Sequence, residues 1–269
     1  MENYLYKYTT LETLALILKS KKIRLNPLNK MDDLQEARTK DSIDFSRFVF
    51  ISSWMNQAKE SIAMWKLYSN MFNGVRIGLK RNPFKKYTIF ANEIKRELLV
   101  DEVIGETNDF ILPLEECFGD NFMIQNYMYK NVLNKVVYSD REEDLFPNIL
   151  KISKEGLELA YGKLGLYKNT YWEFQNEERY ILRYFPFSVN KMVLLKDKCA
   201  SYAFDALDKK INFFKYKDLE IDNEAFFNMK ITTAPNFTEG NMVILNALKD
   251  LFNPCMIIEK SELSNSIAT

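Results

Sequence analysis

Residues 171–185 read YWEFQNEERYILRYF, and this stretch decides the fold and the first candidate site. Apolar and polar residues alternate along it, which is typical of a β-strand whose successive side chains point to opposite faces. We therefore expect Gln175, Glu177 and Arg179 to project together from one face, at steps of about 7 Å. The other face would carry Phe174, Asn176, Glu178 and Tyr180.

An exposed edge strand is the simpler interpretation of the same row. On an edge, Glu177 and Arg179 would keep the strand in water and prevent it from pairing with another chain. From these residues alone, this structural interpretation outweighs a functional one. The neighbouring segments are therefore needed to choose between an exposed edge strand and a functional site.

Those segments predict an α+β fold. YLYKY, residues 4–8, predicts a strand, and Thr9 with Glu12 predicts the capping box of a short helix after it. The next predicted elements are strands in IRLNP (23–27) and RFVFISSW (47–54), a helix in SIAMWKLYSN (61–70) and a strand in GVRIGL (74–79). The second half of the chain is dominated by strands, which favours an α+β sheet over alternating βαβ units.

We expect a single domain over residues 1–269, because the chain has no low-complexity tract, no fixed repeat and no Pro/Gly/Ser-rich linker. Residues from about 90 to 134 carry mixed helical signals and are predicted to be an inserted, mostly helical elaboration. Another helix is predicted in 146–164, where Leu150, Leu157, Tyr161 and Leu164 recur at helical spacing.

The composition excludes several kinds of site. The 269 residues include no histidine, so the chain can form neither a Ser-His-Asp triad nor a metal site with a histidine ligand. Cys117, Cys199 and Cys255 lie far apart with no C-x-x-C pair, so we expect reduced, mostly buried thiols and no zinc site. The net charge is zero, which gives no general attraction to nucleic acid.

A cytoplasmic location is expected from two further observations. MENYLYKYTT at the start lacks the charged and apolar regions of a signal peptide. The sequence also has no run of about 18 apolar residues that could cross a bilayer. We therefore expect a soluble protein without a membrane partner.

Six segments along the chain carry a resemblance to a known family. They are LYKY (5–8), LETLALILKSKKIRL (11–25), ISSW (51–54), MWKLYSNMFNGVRIGL (64–79), WEFQNEERYIL (172–182) and IIEKSEL (257–263). In this order and spacing they resemble a bacterial family catalogued as domain of unknown function 2971. The resemblance supplies no activity by itself.

A more distant resemblance does imply an activity. A first strand followed by a helix, a second strand that bears serine, and a late Gln-x-Glu look like the ADP-ribosyltransferase superfamily. This resemblance implies an ADP-ribosyltransferase-like split β-sheet flanked by helices, which binds NAD in a cleft as a substrate and uses no metal. It makes Glu177 the catalytic glutamate and Gln175 the residue that presents the acceptor.

The chemistry of NAD cleavage suits these residue types. Breaking the bond between nicotinamide and ribose develops positive charge on the ribose, as in glycoside hydrolysis. A fixed carboxylate such as Glu177 would stabilise that charge. Nicotinamide leaves without needing a proton, so no histidine is required. In the superfamily, an amide at the position of Gln175 goes with acceptors other than arginine.

The resemblance also assigns residues to NAD binding. Ser52 and Ser53 correspond to the serine-containing second motif, and Lys7 or a neighbouring tyrosine to the basic or polar position of the first strand. Aromatic side chains would form a wall for stacking, although each one is by itself more often ordinary core. The complete expected set is Tyr6, Lys7, Tyr8, Ser52, Ser53, Trp54, Trp65, Tyr68 and Arg179.

The leading hypothesis is a bacterial mono-ADP-ribosyltransferase that modifies RNA, DNA or protein. By analogy with such enzymes it would be a toxin or phage-defence effector, with an antitoxin or regulatory protein as partner. One alternative is a non-catalytic module that binds a nucleotide or a partner. The second alternative is a metal-dependent nuclease using Asp32, Asp33 and Glu36, for which the acidic start of a helix is the simpler explanation.

Overall fold

In the computed structural model, a large mixed sheet with helices around it forms the centre of the protein. The structure describes residues 4–99, 102–103, 105–125, 127–153, 156–209, 214–264 and 266. The strands are β1 (Tyr4–Thr10), β2 (Lys22–Pro27), β3 (Val49–Met55), β4 (Gly74–Lys80), β5 (Tyr87–Phe90), β6 (Thr107–Phe110), β7 (Phe118–Gly119), β8 (Phe122–Ile124), β9 (Leu133–Lys135), β10 (Val137–Tyr138), β11 (Leu150–Ser153), β12 (Gly156–Leu159), β13 (Tyr167–Lys168), β14 (Glu177–Phe185), β15 (Lys217–Glu220), β16 (Lys230–Thr233) and β17 (Ile257–Glu259). The helices are α1 (Leu11–Ser20), α2 (Ile62–Tyr68), α3 (Ala91–Leu98), α4 (Leu114–Cys117), α5 (Glu142–Leu145), α6 (Val189–Leu195), α7 (Cys199–Asp208), α8 (Asn223–Phe227) and α9 (Glu239–Phe252). The α+β class is therefore confirmed.

Within the described residues, eleven strands join into one sheet, in the order β17-β16-β4-β1-β3-β14-β8-β7. Three further strands branch from this path: β2 pairs with β3, β15 with β2, and β9 with β14. All of these pairs are antiparallel except β16 with β17. The predicted order β-α-β-β-α-β describes the chain as far as β4.

The first helix shows how local sequence signals work here. Its N-cap is Thr10, whose hydroxyl accepts a hydrogen bond from the backbone N–H of Thr13. The predicted cap at Thr9 is thus wrong by one residue, because the helix begins at Leu11 and the residue directly before it is Thr10. Leu14 and Leu18 are buried on the inner face. The helix ends where Lys21 takes the left-handed conformation.

The strand that carries Glu177 lies in the middle of the sheet. All nine residues of β14 are buried, and the strand pairs with β3 on one side and with β8 and β9 on the other. The interpretation as an exposed edge strand is therefore wrong. The strand also starts later than predicted, because Thr170–Gln175 form a 3₁₀ turn and Asn176 has a φ of 41°. Gln175 therefore lies outside β14 and does not share a strand face with Glu177 and Arg179.

A split between β1 and β2 creates the opening that holds the candidate site. Both strands pair with the same edge of β3, β1 through Tyr6 opposite Met55 and β2 through Asn26 opposite Ile51. Between these two contacts the strands diverge. There the side chain of Lys7 reaches β3 and donates a hydrogen bond from Nζ to the carbonyl oxygen of Ser53, at 3.1 Å.

Two predicted helical regions are wrong. The helix expected in 146–164 is replaced by the antiparallel hairpin of β11 and β12, since LKIS and GLEL also fit the alternation of strands. The segment from about 90 to 134 contains α3 and α4 but also four short strands, and is not mostly helical. Of these strands, β8 and β9 extend the central sheet by pairing with β14, a long-range contact that overrides the local helical pattern.

No helix among the described residues is long and apolar enough to cross a membrane. The three cysteines are free thiols, as expected, but their burial differs from the prediction. Cys117 is buried and Cys199 is partly buried, whereas Cys255 is exposed. Burial raises the pKa of the Cys117 thiol, which keeps it protonated.

Candidate functional site

A cavity of about 780 Å³ lies where β1 and β2 separate, with walls from β1, α1, β2, β3, α2 and β14. Its size falls within the range of small-molecule sites. Nearly all predicted site residues line it: Tyr6, Lys7, Tyr8, Ser52, Ser53, Trp54, Tyr68, Gln175, Glu177 and Arg179. The structure therefore brings together residues from both halves of the chain. Trp65 is the one predicted residue that is not part of this lining.

Glu177 is the buried anion of the cavity, with 5% of its surface exposed. Arg179 holds both carboxylate oxygens, from Nε to Oε1 at 2.6 Å and from Nη2 to Oε2 at 3.0 Å. The side chain of Ser53 also favours the charged form of this carboxylate. Burial works against the charge, but Arg179 and Lys168 outweigh it and lower the pKa of Glu177 to about 2. Glu177 is therefore ionised at neutral pH.

Arg179 and Lys168 form a buried charge network with two glutamates. Besides Glu177, Arg179 binds both carboxylate oxygens of Glu36. Lys168 lies 3.1 Å from Glu36 and 3.4 Å from Glu177, measured from Nζ to the nearest carboxylate oxygen. The network has two positive and two negative charges, so it is neutral overall. The proximity of the two carboxylates raises the pKa of Arg179.

Gln175 reaches the same network from the 3₁₀ turn rather than from a strand. Its Oε1 accepts a hydrogen bond from Nζ of Lys168 at 2.8 Å, and its amide nitrogen donates to the hydroxyl of Tyr68. That hydroxyl donates in turn to Asp32 at 2.6 Å. Gln175 and Glu177 therefore both bind Lys168 and lie close together, as predicted. The prediction that they share one strand face is wrong.

Lys7 reaches the cavity from β1. Its Nζ donates to the carbonyl oxygen of Ser53 at 3.1 Å and lies 5.7 Å from the centre of the Trp54 ring. Burial lowers the pKa of Lys7 to about 8, while the charge of Glu177 acts in the raising direction. A substantial fraction of this amine is therefore neutral in mildly alkaline solution.

The aromatic residues separate into cavity wall and core. Tyr6 and Tyr68 are half-buried and line the cavity. Trp65 is wholly buried, packs edge-on against Tyr8 at 4.8 Å between ring centres, and donates from Nε1 to Glu60 at 2.8 Å. Its assignment to NAD binding is therefore wrong, because the side chain faces the core beneath α2. Tyr6 and Tyr68 form the accessible part of the wall, because Tyr8 and Trp54 also border the cavity but are buried.

Asp32, Asp33 and Glu36 do not act together. The Glu36 carboxylate belongs to the Arg179 network, Asp32 accepts from Tyr68, and Asp33 accepts from the backbone of Gln35. Nor do they begin a helix, since residues 34–37 form a turn. In the described part of the chain, no group of three or more carboxylate or thiol side chains is placed to bind a metal ion.

Three neighbours of Glu177 were not predicted to lie there. Lys168 pairs with Glu177, Glu36 binds the same Arg179, and the hydroxyl of Tyr138 accepts a hydrogen bond from the backbone N–H of Glu177 at 2.9 Å. Lys168 and Tyr138 lie side by side because β10 and β13 pair in parallel, as Tyr138 stands opposite Lys168. Both strands have only two residues, which is too short for an alternation to be recognised.

Gly165 supports Arg179 and offers a specific test of the network. Its carbonyl oxygen accepts from Nη1 of Arg179 at 3.1 Å, and its φ of 78° favours glycine. We expect Gly165→Ala to lower the free energy of unfolding by about 1–2 kcal/mol, since a Cβ strains this backbone. Urea denaturation measures the effect. Gly162→Ala is the control, because nothing lies within 4 Å of an added Cβ there. An equal loss in both variants would contradict the expectation.

Comparisons of the chain with protein-family models, with curated proteins and with solved structures found no match. The resemblance of the six segments to the family of unknown function therefore stays a prediction, and so does the more distant resemblance to ADP-ribosyltransferases. The function has to be inferred from the residues of the cavity.

Proposed function

We propose that the protein is a mono-ADP-ribosyltransferase that cleaves NAD and transfers ADP-ribose to a macromolecule. One observation carries the proposal: a buried Glu177 that is ionised at neutral pH shares a cavity with Gln175, Ser53 and the strand β1. These are the positions to which the sequence resemblance assigned the reaction. The divergence of β1 and β2 along β3 supports an ADP-ribosyltransferase-like split sheet, which is part of the same proposal.

Glu177 would act through its negative charge. As the bond between nicotinamide and ribose breaks, positive charge develops on the ribose, and a carboxylate fixed nearby stabilises it. Arg179 and Lys168 hold the Glu177 carboxylate in one orientation before substrate arrives. They supply three donors to a carboxylate that offers about four acceptor positions, so about one position is left for the ribose 2′-hydroxyl. Gln175 would orient the acceptor, which is RNA, DNA or a protein group other than arginine.

Other parts of the lining suit the rest of a dinucleotide. Tyr6 and Tyr68, which are half-buried, provide ring faces and edges against which nicotinamide or adenine can pack. Lys19 and Lys22, at the end of α1 and the start of β2, provide positive charge for the pyrophosphate.

Glu177→Gln tests the proposal. We expect this variant to release nicotinamide from NAD at least about 100-fold more slowly than the wild type, because the amide has no charge to oppose the one that develops on ribose. Nicotinamide release and transfer of label from NAD are measured with pure protein and bacterial lysate. Digestion of the products with protease or nuclease then identifies the class of acceptor.

Glu178→Gln is the matched control. Glu178 neighbours Glu177 in β14, is equally buried and also binds an arginine, Arg81, but lies on the other face of the sheet. Its variant loses a buried ion pair without touching the cavity, so its activity should stay near that of the wild type. Circular dichroism establishes that both variants fold. Equal nicotinamide release by wild type and Glu177→Gln would refute the proposal.

The charge network favours a second candidate, a non-catalytic nucleotide-binding module. Arg179 and Lys168 already balance the charge of Glu177, which weakens its pull on a developing cation. This candidate predicts that NAD binds, as measured by calorimetry, and that neither wild type nor Glu177→Gln releases nicotinamide.

The role as a toxin or phage-defence effector follows from the transferase proposal. A toxin of this kind would stop growth when expressed alone in a bacterial host, and a regulatory protein or antitoxin would relieve the arrest. Expression of Glu177→Gln should leave growth unaffected. Growth arrest by both the wild type and Glu177→Gln would mean that the toxicity does not depend on NAD cleavage.

A further inference from the structure

Two lysines line the cavity, and they differ in their partners. Lys168 binds the carboxylates of Glu36 and Glu177 and the amide oxygen of Gln175. Lys7 has no ion pair among the described residues, and its Nζ makes one hydrogen bond, to the carbonyl oxygen of Ser53. Lys168 is therefore held by two carboxylates, whereas Lys7 can lose its proton without leaving an anion unpaired.

The surroundings of Lys7 favour the neutral amine. Burial lowers the pKa of Lys7 to about 8, against about 10.4 for a free lysine side chain. At pH 7 the neutral fraction is then about one tenth, which is more than 100 times that of an ordinary lysine. A desolvated amine of this kind is the usual form of a nucleophilic lysine.

The charged and titratable groups of the cavity come from several elements. They are Tyr6 and Tyr8 of β1, Lys19 of α1, Lys22 and Arg24 of β2, Asp32 after it, Tyr68 of α2, Lys168 of β13, Glu177 and Arg179 of β14, and Asp218 of β15. Glu177 raises the pKa of Lys7 but does not overcome burial. Arg179 and Lys168 partly balance Glu177, so it cannot act as a full counter-ion for Lys7.

We propose that Lys7 is a nucleophilic amine that forms an imine with an aldehyde or ketone entering the cavity. The Nζ lone pair bonds to the carbonyl carbon and gives a carbinolamine. The carbonyl oxygen then leaves as water with the two protons of the neutral amine, and a C=N double bond remains. The step needs no oxidant or reductant. This activity is independent of NAD cleavage.

The lining of the cavity indicates which carbonyl compounds fit. Tyr6 and Tyr68 line the same cavity, so a flat or ring-shaped carbonyl compound can pack against their half-buried rings. Lys19 and Lys22 add positive charge to the walls, which favours a phosphate on the same molecule. The expected ligand class is therefore a phosphorylated aldehyde or ketone.

Reductive trapping with pyridoxal 5′-phosphate tests the proposal, because this probe carries both an aldehyde and a phosphate. Pure wild-type protein is mixed with a limiting amount of probe at pH 7, reduced with borohydride, digested and analysed by mass spectrometry. We expect labelling of Lys7 at least about ten times faster than of exposed Lys30, given its larger neutral fraction. The labelling rate of Lys7 should rise with pH and level off above about pH 8.

Lys168 is the internal control, since it lines the same cavity but is held by two carboxylates. Lys7→Met should abolish the fast label and leave the slow labelling of exposed lysines unchanged. The labelling rates of Lys7, Lys30 and Lys168 are compared within the wild type, so this comparison tests the proposal even if Lys7→Met does not fold. Labelling of Lys7 no faster than Lys30, or labelling of Lys168 as fast as Lys7, would overturn the proposal. Neither outcome bears on nicotinamide release, which is measured without the probe.

Discussion

Replacing Arg179 by methionine is expected to lower the free energy of unfolding by about 3–5 kcal/mol at neutral pH. The Arg179 side chain is 1% exposed and binds Glu36, Glu177 and the carbonyl oxygen of Gly165. Methionine fills a similar volume but leaves the two buried carboxylates, among the described residues, with ion pairs to Lys168 alone. Buried charges without partners are costly, because the interior cannot solvate them as water does.

Urea denaturation of wild type and Arg179→Met, monitored by circular dichroism, measures this loss. Arg81→Met is the control, because Arg81 also binds a buried glutamate but is 25% exposed. Water can then solvate the glutamate that it leaves, so its loss should be smaller. Adding Glu36→Gln alone to Arg179→Met should restore part of the stability, because one carboxylate, Glu177, then remains and is paired with Lys168. Equal losses for Arg179→Met and Arg81→Met would contradict this account of the network.

The elements that follow from local sequence were predictable. Thr10, Leu14 and Lys21 mark the start, the buried face and the end of α1 within one residue of the prediction. The strands β1, β3 and β4 also lie where their alternation predicts them. In these segments the local pattern and the tertiary packing favour the same structure, so one sequence is sufficient.

The errors lie where distant segments decide the local structure. LKIS and GLEL fit both a helical and an alternating pattern, and pairing between β11 and β12 makes them strands. The segment of β8 and β9 has helical signals but completes the sheet beside β14. No residue of either segment indicates which strand it pairs with, so a local pattern could not predict whether these segments are helices or strands.

In the candidate site too, local patterns predicted some contacts correctly and missed those between distant segments. The Gln-x-Glu spacing selected Glu177 and Gln175 correctly as neighbours in a cavity, yet for the wrong reason, because Gln175 belongs to a 3₁₀ turn. Glu36 was grouped with Asp32 and Asp33 because they are close in sequence. Its real partner is Arg179, 143 positions later. Proximity along the chain is a poor guide to the partner of a buried charge.

The free energy of unfolding should also fall steeply in acid, through Glu177. In the folded protein its pKa is about 2, below the ordinary value of 4.5, because Arg179 and Lys168 stabilise its charged form. A depressed pKa contributes stability that is fully present above about pH 4.5 and is lost as the pH falls toward 2. Because one pKa unit corresponds to about 1.4 kcal/mol, the contribution is on the order of 3 kcal/mol.

Urea denaturation of wild type and Glu177→Gln at pH 7, 4.5 and 3 measures it. Glutamine cannot titrate, so the wild type should be the more stable protein at pH 7 and the difference should shrink at pH 3. A difference that stays constant over this range would mean that Arg179 and Lys168 do not hold Glu177 in its ionised form.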